Sequence, residues 1–218
     1  MPISRSPAAS LTGLRRQKVH LLLDRVVLTD SQNVLVVSVG FRRRSIPLVW
    51  RILSHAGSSR LRDQQQLLRA AATLLPPSVR MTVHADSEFR SQVLFDWLRR
   101  RRWNAIVGIR GNVHITTDPA KLGQPLSSWL PHRESVAYLN AVWLAEERCG
   151  SRNVLARWDT SDRGELICYA VMTNLSATWQ TYRVGSRRMG SRRCFGIGKA
   201  GALSWARLRS PITSALSG

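Results

Sequence analysis

The order of its apolar runs does most to limit what this chain can fold into. Val19–Leu23, Val34–Phe41 and Ile46–Leu53 are separated by polar turns, Thr29–Asn33 and Arg42–Ser45. Short apolar runs bounded by turn residues read as strands, and strands joined by short turns form an antiparallel meander. The second run is almost unbroken Val and Leu, which predicts a strand covered on both faces. The period then changes. Arg60–Leu75 sets Leu61, Leu67, Leu68, Ala71, Leu74 and Leu75 on one side, a helical pattern stopped by Pro76-Pro77. Val79–Ala85 reads as a strand. Glu88–Arg102 repeats Phe89, Val93, Trp97 and Leu94, Leu98 at i+4, a second helix with Ser87 as its expected N-cap. Ala105–Ile109 is another strand. The order β-β-β-α-β-α-β predicts an α/β fold, a mixed sheet with helices on its faces.

From Gly111 to Trp179 the texture turns to short strand-like runs, Ser135–Leu144, Asn153–Trp158 and Glu165–Thr173, which read as an inserted β-rich region. Four segments follow: a loose leader over 1–17 rich in Ser, Pro and Arg, the first part of the core over 18–110, the β-rich insertion over 111–179, and a C-terminal segment over 180–218. In the last, Gly, Ser and Arg dominate and helical periodicity is poor.

Asp24 and Asp86 each follow an apolar run. A carboxylate there stands at the open edge of a sheet, and two on neighbouring strands can hold a hard divalent cation such as Mg²⁺ through oxygen. Each also has a plainer reading: Asp24 as a turn cap, Asp86 as a neighbour of a helix N-cap. His84 shares the strand face of Asp86 and reads as a packing residue. A third carboxylate would ordinarily come from later in the chain, yet no Asp or Glu follows Glu165. Asp159, Asp162 and Glu165 lie in the insertion and read as poor substitutes.

Charge narrows the partner. Against 33 basic residues stand 13 acidic ones, a formal net charge of +20, which favours a polyanion. Only Lys18, Lys121 and Lys199 are lysines. The arginine bias suits phosphate, and a GC-rich genome would produce it equally. Cys149, Cys168 and Cys194 show neither zinc spacing nor a disulfide framework, so a reducing cytoplasm is expected. No apolar run is long enough to span a membrane.

In their order, the motifs resemble the catalytic core of IS4-like DDE transposases of bacterial insertion sequences, over roughly residues 19 to 190. The first motif is the apolar strand ending in Asp24-Arg25, followed by Ile46-Pro47-Leu48-Val49-Trp50. The second is Ala85-Asp86-Ser87-Glu88-Phe89 with Trp103–Val107 downstream; the family usually has Arg-Gly where Ser87-Glu88 stands. Tyr169–Leu175 resembles the strand that closes the family's β insertion. The resemblance implies an RNase H-like core. It also implies Asp24 and Asp86 as catalytic ligands of Mg²⁺ or Mn²⁺, with Arg25, Tyr182 and Arg188 as DNA-binding residues. The implied partner is double-stranded DNA, bound by a possible homodimer, and the implied location is the nucleoid of a bacterial cytoplasm.

The family's third motif is a helix carrying Tyr-x-x-Arg-x-x-x-Glu. This chain offers Tyr182–Gly190 and then no glutamate. The residues from Ser191 are Ser-Arg-Arg-Cys-Phe-Gly-Ile-Gly-Lys-Ala-Gly-Ala-Leu-Ser-Trp. Read from the third base of each codon, with permitted third bases chosen, the same DNA can encode I-E-E-V-L-R-D-W-K-S-R-G-F-E-L, close to the family's third motif. The expectation is a single-base frameshift near Gly190, which also explains the tail without acids. Too little chain precedes Asp24 for the family's N-terminal DNA-recognition region, so specific recognition of transposon ends is expected to be lost. The whole reads as a transposase remnant, inactive as written. The alternatives are a basic non-catalytic DNA-binding protein and a metal-dependent nuclease.

Overall fold

The computed structural model describes residues 3–5, 18–41, 44–53, 55, 57–132, 135–145, 151–160, 164–181 and 183–184. Among them the strands are β1 Ser4–Arg5, β2 Lys18–Thr29, β3 Gln32–Phe41, β4 Arg44–Leu53, β5 Arg80–Ala85, β6 Asn104–Arg110, β7 His114–Thr116, β8 Gln124–Pro125, β9 Val136–Leu144, β10 Arg152–Thr160 and β11 Leu166–Thr173. The α-helices are α1, Leu61–Ala72, and α2, Gln92–Arg100.

The strands follow one another in space as β1-β4-β3-β2-β5-β6-β11-β10-β9-β7-β8. β2, β3 and β4 form the expected antiparallel meander. β5 joins β2 in parallel and β6 joins β5 in parallel, each reached through a helix. The sheet is therefore mixed. The β-rich region does not stand apart from it. β11 pairs antiparallel with β6, and β10 and β9 continue the sheet outward. Residues Ser4-Arg5 of the expected loose leader pair with Val49 and Trp50 at the other edge.

One face of the sheet holds the main core. Leu21 and Leu23 of β2, Leu35 and Val37 of β3, Val83 and Ala85 of β5, and Ala105 and Val107 of β6 pack against Leu67 and Leu68 of α1 and Leu94, Phe95 and Leu98 of α2. Both helices cover this one face, whereas the sequence pattern placed helices on the faces generally. Side chains alternate along each strand, so Leu22, Val36, His84, Ile106 and Val171 point to the opposite face. There a smaller cluster, Ile106, Leu155 and Val171, is covered by Leu175, Ala177 and Val184 from the stretch after β11. Burial of Leu35 through Val39 bears out the reading of β3 as covered on both sides.

Boundaries near the two aspartates differ from expectation. β2 runs past Asp24 to Thr29, because Asp24 to Val27 keep pairing with β3. The second helix does not begin at Ser87: Ser87–Phe89 is a single 3₁₀ turn, and α2 starts after Ser91, whose Oγ accepts from the Leu94 amide. The Arg99–Arg102 run closes α2. There Arg101 lies 4.6 Å from the Trp97 ring centroid and Arg102 takes a left-handed φ of 57° at the turn. Among the described residues no helix is long and apolar enough to cross a membrane.

Candidate active site

The parallel ladder between β2 and β5 ends at the pair Leu23↔Ala85. The next residues in register are Asp24 and Asp86, so two adjacent strands deliver two carboxylates side by side. Asp24 is not at a strand terminus, as the sequence implied. It sits in mid-strand, opposite Val36 of β3, where β2 loses its second neighbour. Asp86 is exposed and caps the 3₁₀ turn, its Oδ1 accepting from the Glu88 amide at 2.9 Å.

Burial and charge hold Asp24 in an unusual state. Burial pushes its carboxyl up to about 6, and the negative charges of Asp86 and Glu88 add to the rise. The amide of Arg25, donating to Oδ1 at 2.8 Å, and the Arg25 charge oppose it.

Arg25 is engaged elsewhere. Its Nε donates to both oxygens of Glu88, at 2.6 and 2.8 Å, and its Nη1 donates to Asn33 Oδ1 at 3.0 Å. Asn33 in turn donates to the carbonyls of His55 and Gly57. The clasp ties β2 to the turn after β5 and so fixes Asp24 relative to Asp86. Beneath the carboxylates on the same face, His84 is fully buried, and its Nε2 lies 2.8 Å from Nδ1 of His20. His84 belongs to the packing, and its partner His20 carried no signal in the sequence.

Beyond Asp86 a cavity of about 450 Å³ opens at the ends of β5, β6 and β11, lined by Asp86, Ser87, Gly108, Arg110, Cys168 and Tyr169 among others. Gly111 lets β6 and β11 close at its rim: a Cβ there would sit 2.5 Å from Cys168 Cβ. Burial pushes the Cys168 thiol up to about 11, so it stays protonated and is no nucleophile at neutral pH.

Two carboxylates on adjacent strands are oxygen donors of the kind that hard divalent cations take. Among the described residues no group of three potential metal ligands comes together. Tyr182, Arg188, Asp162 and the tail from Gly190 lie outside the described residues, as does the side chain of Asp159. Comparison with known proteins gives no matching family model and no curated protein of significant similarity.

Proposed function

We propose that this chain is the catalytic-core part of a DDE-type DNA transposase of the IS4-like group, built on an RNase H-like fold, with two of its three metal-binding carboxylates in Asp24 and Asp86. The observation that carries this reading is the register that sets those two residues next to each other at the end of the only parallel ladder β2 makes among the described residues. The fold agrees with it: a three-strand meander is continued by two parallel strands through helical crossovers, and a β-rich stretch follows. The charge of +20 agrees with a DNA substrate.

A divalent ion at such a site supplies a polarised phosphoryl oxygen and an activated attacking oxygen for in-line displacement. The chain's own part is to hold Asp24 and Asp86 in place through the Arg25–Glu88 clasp and to present both as ionised ligands. With only two carboxylates, cleavage should be slower by orders of magnitude than with three, because a coordinating group acts as part of a unit. A shifted reading of the codons after Gly190, with third bases chosen to permit it, would supply the missing glutamates, so we take the chain as written to be catalytically impaired.

The test compares the chain with a version whose frame is restored after Gly190, on supercoiled plasmid with Mg²⁺ or Mn²⁺. The restored chain should nick DNA, and Asp86→Ala should abolish the nicking. If the restored chain binds DNA without nicking it, the protein is a non-catalytic DNA-binding protein. If nicking survives Asp86→Ala, the site assignment fails.

A further inference from the structure

Register brings together, on the carboxylate face of the sheet, residues that are far apart in sequence. Tyr169 of β11 pairs with Arg110 of β6 on one side and with Arg157 of β10 on the other. All three share strand parity with Ile106, Val171 and Leu155, the residues of the minor core on that face. The result is a row, Arg110–Tyr169–Arg157, crossing three neighbouring strands. Trp179 extends it: the Arg157 guanidinium lies 5.9 Å from the Trp179 ring centroid, and Trp179 is 43% exposed. The row starts where the carboxylates end. Continuing the β5–β6 register past Ala85↔Val107 sets Asp86 beside Gly108, and Arg110 stands two residues further along the same face. Asp86, Gly108, Arg110 and Tyr169 all line the 450 Å³ cavity.

We infer that this row is a binding track for unpaired DNA, in which the cavity takes one base against Tyr169, Trp179 takes a second, and Arg110 and Arg157 hold the backbone between them. The chemistry favours single strands over duplex. Bases in a duplex already stack on each other, whereas alternating rings and cations offer each unpaired base a π-face and each phosphate a charge. A cavity of about 450 Å³ has room for a single nucleotide. This rests on reading Asp24 and Asp86 as the phosphate-cleaving end of the path. The track would hold the strand next to the cut.

Binding measured in EDTA separates the two ideas, because no metal-dependent step then contributes. Fluorescence anisotropy with a labelled single-stranded oligonucleotide and its duplex should show the single strand bound more tightly. Tyr169→Leu should weaken single-strand binding by about tenfold, as expected for loss of one stacked base, and leave duplex binding within about twofold. Tyr169→Phe should bind like the parent, and Trp179→Leu should repeat the loss without touching the sheet. Arg62→Ala with Arg69→Ala on α1, which covers the other face, serves as the charge control. Equal loss in that control and in the Tyr169 and Trp179 variants would overturn the track, as would unchanged binding by both ring variants when thermal melts show them folded. Absence of nicking alongside an intact single-strand preference defeats only the enzymatic reading. Nicking without any ring effect defeats only the track.

Discussion

Asp24 carries two opposed demands. It lies among buried strands, which favours the neutral acid, and beside Asp86 and Glu88, which favours it again. A carboxyl raised from 3.8 to about 6 in the folded state binds its proton more tightly folded than unfolded. Its stabilising contribution is therefore complete below pH 3.8 and is lost as the pH rises through about 6. Since part of the group still meets solvent, the loss should be about 1–3 kcal/mol, a drop of several degrees in Tm. Asp24→Asn should remove this loss, melting above the parent at pH 7.5 and level with it near pH 4. Millimolar Mg²⁺ or Mn²⁺ should raise the parent's Tm at pH 7.5, where the ion replaces the proton, and do nothing at pH 5 or for Asp24→Asn. Parallel pH profiles for the two proteins would show that Asp24 is not the group responsible. Asp24 stood out in the sequence as a carboxylate after an apolar run. That it lies in mid-strand was not legible there, because the pairing that carries β2 to Thr29 depends on residues 32–36 and not on the local pattern.

At the scale of elements, the chain's periodicities located both α-helices and eight of the eleven strands among the described residues, and missed β1, β7 and β8. They also missed contacts set by partners distant in sequence. The local pattern pointed to Ser87 as the cap, but Asp86 caps a separate turn there, and α2 starts at Gln92 with Ser91 as its cap. Arg152 gave no signal at all, yet it is 6% exposed at the head of β10, donates to Asp96 of α2 at 2.9 Å and lies over the Phe95 ring at 5.2 Å. Burial pushes the Asp96 carboxyl up, but hydrogen bonds from Gln92 and Arg152 and the charges of Arg152 and Arg99 outweigh it and hold the group below its usual range. This pair is the bolt between the helix layer and the β-rich extension. Asp96→Ala would strand a buried guanidinium and should cost about 1–3 kcal/mol, lowering Tm by several degrees. Asp96→Asn, which keeps an acceptor, should cost less. If Asp96→Asn costs nothing, the charge on Asp96 does not contribute; if both variants cost the same, the whole loss is that of the charge. The row Arg110–Tyr169–Arg157 was hidden for a related reason: each residue is unremarkable in its own strand, and only register aligns them.

At the scale of the whole molecule the dominant quantity is charge. A surplus of 20 positive charges on 218 residues gives a field that attracts any polyanion before a specific contact forms. If DNA is the partner, most of the affinity should come from counterion release and so ignore base sequence. A chain making about six or more phosphate contacts should lose about a thousandfold in duplex affinity between 50 and 200 mM salt. Unrelated duplexes should give equal affinities at each salt concentration. Asp24→Asn and Asp86→Asn each remove one negative charge, so in EDTA both should bind duplex as tightly as the parent or slightly more tightly. This separates the binding surface from the carboxylate site: the first is set by total charge, the second by two side chains in register. Salt-insensitive binding would mean that apolar or base-specific contacts dominate. Loss of duplex binding in either aspartate variant without metal would mean that those side chains contact DNA directly, and the division between a charged surface and a metal-dependent centre would have to be given up.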